Sequence, residues 1–264
     1  RLALQTAPGT DLAVIFETIT LDGLEYQAED GMAGLVGGKL DLSGRLDLVG
    51  ERLHFDLSGR ATAAEALLDS WYGSLQKLPV NLAVKGSWSN DRQRLGLGAA
   101  VSDLAGLVSG RFNGWDADGE TSLRWRLEVP QMKGAFQQTL QALAGELLPD
   151  IKRVTLDGRL TLDGAARQRQ GKWDLDLDMV PAGVTIAWGQ EARIEGLQGR
   201  WPVHLRQSGP AADELAETAS LQWSRLQGGL LNSGPNRLEL QASTNRWRLQ
   251  QPLELAVAGG AVRL

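Results

Sequence analysis

A mostly-β fold, an extended and curved antiparallel sheet, is what this sequence predicts, and three observations point to it. Apolar and polar residues alternate with a period of two along most of the 264 residues, as in a sheet with one dry and one wet face. Short polar turns such as "VGER" (49–52), "NDRQ" (90–93) and "ARQRQG" (166–171) separate the alternating runs. Glycine recurs inside those runs, within a phrase of nearly constant form.

In chain order, Leu40, Leu42, Leu46 and Leu48 share one face, with Lys39, Asp41, Arg45 and Asp47 on the other. Leu53-Phe55-Leu57, Val80-Leu82-Val84-Trp88, Leu95-Leu97-Ala99-Val101 and Leu123-Trp125-Leu127-Val129 repeat the pattern. The second half continues it with Val154-Leu156-Leu160-Leu162, Trp173-Leu175-Leu177-Met179, Val184-Ile186-Trp188 and Leu197-Trp201-Val203-Leu205. Leu238-Leu240-Ala242, Trp247-Leu249 and Leu253-Leu255-Val257 complete the series. Two stretches break the alternation and are expected to be amphipathic helices, at about 61–76 and 131–148. The first sets Leu67, Trp71 and Leu75 four residues apart and stops at Pro79; the second sets Met132, Phe136, Leu140, Leu143 and Leu147 between Pro130 and Pro149. Residues 208–218 read equally as a short helix or a loop. The expected organisation is one elongated unit over residues 1–264.

The glycine phrase is apolar, polar, Gly, Arg, apolar. It occurs around Gly44, Gly59, Gly110, Gly158 and Gly199, with a looser copy at Gly86. Strand parity puts each glycine on the apolar face and each arginine on the wet face. A glycine inside a strand weakens it, so a recurrent one marks a bend, a bulge or a close backbone approach. Bends at similar depth in successive strands would curl the sheet into a trough.

Composition narrows the function. The net charge is −5 and no Lys/Arg block occurs, so no nucleic-acid surface is expected. There is no cysteine, which excludes disulfides and thiolate metal sites. His54 and His204, the two histidines, alternate with apolar neighbours and read as wet-face residues. Asp174, Asp176 and Asp178 invite comparison with a glycosidase pair or a calcium site, but alternation alone places them outward. "GGKL" (37–40) lacks the full spacing of a phosphate-binding loop. No catalytic residue, metal or cofactor is expected. Trp88, Trp125, Trp173, Trp188, Trp201, Trp223 and Trp247 all fit an apolar strand face, where they either fill a core or line an open greasy surface. No apolar run reaches membrane-span length, and the chain reads as part of a longer protein.

Strands of the "LxLxGRLxL" type, together with "LLPDIKRVTLDGRLTLDG" (147–164) and "IEGLQGRWPVHL" (194–205), resemble the AsmA-like superfamily, including the TamB-like and YdbH-like proteins of the Gram-negative envelope. The likeness is one of texture spread over residues 35–264. It implies a long sheet bent into an apolar groove that carries phospholipid acyl chains across the periplasm. It further implies a parent anchored in the inner membrane, with an outer-membrane protein or lipoprotein as a possible partner. The chain departs from the family in showing no anchor helix. In this reading the lipid-facing residues are Leu42, Leu46, Leu82, Trp88, Leu123, Trp125, Leu127 and Leu156, followed by Leu160, Trp173, Leu175, Leu177, Ile186, Trp201, Leu240 and Leu255. The alternative is a closed β-sandwich at the cell surface, structural or carbohydrate-binding, since one-faced alternation suits either fold.

Overall fold

The computed structural model describes residues 2–7, 10–27, 33–62, 65–68, 71–74, 79–89, 94–104, 106–139, 141, 149–206, 217–243, 246–257 and 260–263. It is mostly β, one large antiparallel sheet that is not closed. The sandwich alternative is therefore not the fold. β1 (Leu2–Ala7), β2 (Thr10–Gln27), β3 (Ala33–Val49) and β4 (Arg52–Thr62) pair in chain order, with the short β5 (Glu65–Leu68) and β6 (Trp71–Ser74) beside them. β7 (Val80–Ser89), β8 (Arg94–Leu104), β9 (Ser109–Ala117) and β10 (Glu120–Val129) follow. Helix α1 (Met132–Gln138) and a 3-10 turn (Pro149–Arg153) lead into β11 (Val154–Arg169), β12 (Lys172–Trp188) and β13 (Ala192–Arg206).

Beyond β13 come β14 (Glu217–Trp223), β15 (Arg225–Gly228), β16 (Leu231–Ser233), β17 (Asn236–Ser243), β18 (Arg246–Leu249), β19 (Glu254–Val257) and β20 (Gly260–Arg263). Several of these short strands are pieces of longer ones. Trp223 faces Asn236 and Leu226 faces Ser233 in one unbroken register, so β14 and β15 form one leg of a hairpin and β17 and β16 the other. The break at Ser224 is bridged to β13, since its backbone N–H donates to the Glu195 carbonyl at 2.8 Å and its Oγ at 2.9 Å.

The expected helix at 61–76 is not formed. Its described residues are the end of β4, then β5 and β6, and β5 continues the register of β4 along β3: Thr62 faces Lys39 and Glu65 faces Val36. Pairing to the far end of the 17-residue β3 supplies backbone hydrogen bonds that outweigh a weak helical preference. The second expected helix is present as α1, covering Met132–Gln138 of the 131–148 stretch; residues 140 and 142–148 lie outside the described residues, as does most of 208–218. Gln141 joins α1 to the sheet, its Nε2 donating to the carbonyls of Ile151 at 3.1 Å and Val154 at 2.8 Å.

Two strands hide a change of phase. On β12 the apolar positions are odd from Trp173 to Pro181 and even from Val184 to Trp188, and the register against β11 shifts between Asp157 and Arg159. Gly158 (φ +102°) and Gly183 (φ +65°) occupy this bulge. On β13 the switch falls between Ile194 and Leu197, at Gly196 (φ +65°). A bulge adds one residue to one strand, so it keeps the apolar side chains on one face across a break in alternation. The runs at 173–179 and 184–188, which sequence alternation separates, are one strand.

Candidate functional site

The cross-strand register turns these alternating strands into rows. One runs Val14, Leu46, Phe55, Gly86, Leu97, Gly114, Leu123, Ala166, Leu175 and Leu205. The next runs Phe16, Gly44, Leu57, Val84, Ala99, Phe112, Trp125, Gly164, Leu177 and Val203. A third runs Ile19, Leu42, Gly59, Leu82, Val101, Gly110, Leu127, Leu162, Met179 and Trp201. Each row crosses the ten strands β2, β3, β4 and β7 to β13 without a charged residue. Nine inter-strand steps of ~4.8 Å make each row ~43 Å long.

These rows hold most of the residues singled out above. Of the others, Leu160 faces Val129 and Pro181 on β10 and β12, Leu156 faces Ile186, and Leu240 faces Ala219 and Leu249. Trp88 and Trp173 stand at the strand ends opposite Leu95 and Gln168, while Leu255 lies far off on β19, opposite Val262. β2, with Phe16, was not legible as part of this face, nor was Gly164. Alternation on β2 runs through Leu12, Val14 and Phe16 and then changes phase to Ile19, where the register shifts.

The face is apolar yet covered over little of its length. On β4 and β10 the apolar residues are half-buried and the intervening polar ones mostly exposed. Trp88 and Trp173 are each 42% exposed and Leu205 52%. Among the described residues the buried apolar side chains are half alanines, such as Ala13, Ala166 and Ala219, with Phe16, Leu221 and Leu253 among the larger ones. Among the described residues a second layer is seen at the end of β8 to β10, where α1 lays Ala135 and Phe136 (both 7% exposed) over the sheet. Leu107 and Ala135 form a buried cluster there with Leu104, Val108 and Val129.

The recurrent glycines divide into two kinds. Gly158 and Gly199 have positive φ (+102° and +137°), and at Gly158 the strand bulges. Gly44, Gly59 and Gly110 are ordinary in φ but closely approached. A Cβ on Gly59 would lie 2.6 Å from the Asp41 carbonyl oxygen and 2.7 Å from Leu42 Cδ2, and one on Gly110 would lie 2.7 Å from Leu127 Cδ2. At Gly44 the clash would be with the Asp56 carbonyl and Leu57. For these three, the expectation of a strand bend is better stated as a close approach: a leucine on the neighbouring strand folds over the glycine. At Gly164 the covering group is the Trp125 indole.

The opposite face carries ion pairs. Arg200 bonds Asp178 Oδ2 at 2.8 Å and Glu217 Oε2 at 2.7 Å, and both hold its guanidinium pKa above the usual arginine value, Asp178 most strongly. His204 Nδ1 sits 2.7 Å from Asp176 Oδ1, and its side chain is 9% exposed. His204 thus lies on the polar face as expected, but its neighbours shield it from water. Among the described residues no group of three His, Cys, Asp or Glu could hold a metal ion. Among those residues, too, no helix is long and apolar enough to cross a membrane. Comparison with protein-family models, with curated proteins and with solved structures finds no match.

Proposed function

We propose that this chain is a non-enzymatic segment of an envelope protein that carries phospholipid between the inner and outer membranes of a Gram-negative cell, its acyl chains lying along the apolar face. The observation that carries this reading is the set of three uncharged rows across ten strands, half-buried and without a second layer over most of their length. A sixteen-carbon tail in water costs on the order of 12 kcal/mol at ~0.8 kcal/mol per methylene. A few apolar side chains cannot offset that, whereas a continuous surface can. No reacting group is needed for such a task, and none of the roles above requires one.

The resemblance to AsmA-like proteins agrees with this use of the face, and the proposal extends to a periplasmic location with a parent anchored in the inner membrane. Mass spectrometry of an organic extract of the purified protein tests the proposal. Co-purified phospholipid, lost when Leu127 and Leu175 are both changed to Asp in a variant that still folds, is the expected result. A folded, monodisperse wild-type protein that yields no lipid would overturn it.

A further inference from the structure

We infer that the polar face of the sheet carries a binding site for a phosphorylated saccharide, in a hollow of about 450 Å³ across β9, β10 and β11. Its shape follows from the register. Trp115 on β9, Ser122 on β10 and Arg167 on β11 stand opposite one another in a single row. Ser122 is small, so the two long side chains form walls on either side of it, their backbone positions two strand spacings, ~9.6 Å, apart. Along β10, Glu120 and Arg124 share the face of Ser122 and close the two ends of this slot. Glu120 faces Arg169 and holds it at 2.8 Å, while Arg124 faces Asn113.

Trp115 differs in setting from the tryptophans of the apolar rows. Trp125 has Leu123 and Leu127 beside it on its strand, whereas Trp115 shares its face with Asn113 and has Gly96 opposite on β8. A Cβ on Gly96 would meet only Ser87, at 3.6 Å, and one on Gly98 only the Lys85 carbonyl oxygen, also at 3.6 Å. The indole therefore does not fold over Gly96, and the floor on that side is open. A half-buried indole among Asn, Ser and Arg offers an apolar ring to the C–H face of a pyranose, with polar groups in reach of its hydroxyls.

Charge fixes where the phosphate sits. At one end of the slot Glu120 and Arg169 neutralise each other. At the other, Arg124 and Arg167 are diagonal neighbours on adjacent strands, and both are exposed. Neither has an ion-pair or hydrogen-bond partner among the described residues. The carboxylates nearest to them lie outside the slot: Asp174 is opposite Arg167 on the far side, on β12, and Asp163 is 3.5 Å from Arg126. Two unpaired guanidinium groups at one corner suit a phosphate, whose oxygens accept paired hydrogen bonds from arginine. The site is independent of the proposed lipid carriage. The sheet itself lies between the slot and the apolar face, so a lipid with its tails on that face does not bring its phosphate here.

Calorimetric titration of the protein with glucose 6-phosphate is the test, with glucose, inorganic phosphate and adenosine monophosphate as comparisons. The wild-type protein is expected to bind glucose 6-phosphate about tenfold more tightly than glucose or inorganic phosphate. Arg124→Gln with Arg167→Gln is expected to lower that affinity about tenfold or more, since hydrogen bonds to a charged group are lost. Both arginines are exposed, so circular dichroism should be unchanged in this variant, which decides the matter even where a change at half-buried Trp115 disturbs the fold. Trp115→Ala is expected to weaken binding of glucose 6-phosphate and leave that of inorganic phosphate as it was. The inference is overturned if the wild-type protein does not bind glucose 6-phosphate, if inorganic phosphate binds equally well, or if the arginine variant binds like the wild type. Tighter binding of adenosine monophosphate than of glucose 6-phosphate would also overturn it, by assigning the slot to a stacked base.

Discussion

The apolar face meets two different fates within one sheet. At the end of β8 to β10, α1 covers it: Leu107 is 9% exposed and Ala135 7%, and together with Val129 they form a small closed core, while Phe136 on the same helix is also 7% exposed. At the opposite ends of β3, β7 and β8, the same kinds of side chain in the same alternation are left open, with Leu48 37%, Trp88 42% and Leu95 38% exposed. The residues do not differ in type; the difference is whether a second layer arrives. A short helix is enough to convert sheet face into core; where no helix lies over the sheet among the described residues, the face stays open.

The largest expected effect lies at the covered end. Phe136→Ala removes a buried ring from the α1 contact and should cost about 3–5 kcal/mol, read as a lowered urea midpoint. A loss below about 1 kcal/mol would mean that α1 does not seal the sheet, and the contrast between the two ends would collapse.

Next come the glycines of the floor between them. A Cβ at Gly59 meets the Asp41 carbonyl at 2.6 Å, but one at Gly98 has nothing nearer than the Lys85 carbonyl at 3.6 Å. Gly59→Ala should therefore destabilise by about 1–3 kcal/mol through overpacking. Gly98→Ala should be neutral, or stabilising by up to about 1 kcal/mol through the unfolded chain. Equal melting temperatures for the two variants would contradict the close-approach account of the floor.

At the open rim the expected change is smaller still. Leu95→Ser should alter stability by less than about 1 kcal/mol, since the side chain is already 38% exposed. A core-sized loss would show that the rim is packed in solution.

The smallest effect is electrostatic and lies beside the same rim. The Arg45 hydrogen bond holds the Asp47 carboxyl below the usual carboxylate range, against a counteracting desolvation. Because its folded value is depressed, the stabilisation is present at neutral pH and is lost as pH falls through that lowered value. Asp47→Asn should flatten the acid side of the stability profile slightly while leaving it unchanged in shape above neutrality. A steeper acid limb in the variant would contradict the sign.

Much of this architecture was legible in residue order because alternation is a direct record of a one-sided sheet. Leu123, Trp125 and Leu127 sit on one face with Arg124, Arg126 and Glu128 on the other, as the pattern requires. Turns were legible only in part: "VGER" (49–52) closes β3 to β4 at Gly50 and Glu51, but of "ARQRQG" (166–171) only Gln170 and Gly171, both with positive φ, form the turn, Ala166–Arg169 being the end of β11, and "NDRQ" (90–93) lies outside the described residues. Failures came where a local signal competed with a distant one. Leu67, Trp71 and Leu75 are spaced like a helix face, yet Glu65–Leu68 lies where β3 offers an unpaired edge, a partner some thirty positions away in sequence. Phase switches at Gly183 and Gly196 defeated a strict period of two, because a bulge preserves the face in space while breaking it in sequence. Close approach at Gly44 and Gly59 was one of three readings left open for these glycines, since alternation locates a glycine but not the leucine that folds over it.

The central claim, that the uncovered face receives acyl chains, is tested most directly by quenching of tryptophan emission with a phospholipid brominated along its tails. Trp125 lies half-buried in a middle row and Trp173 stands 42% exposed at the strand end, so both should be within reach of a tail lying on the face. The account predicts strong quenching by the brominated lipid, reduced when Trp125 and Trp173 are both replaced by Phe, with little change in fold. A folded and monodisperse protein whose emission is untouched by that lipid, or quenched equally in the double variant, would contradict it.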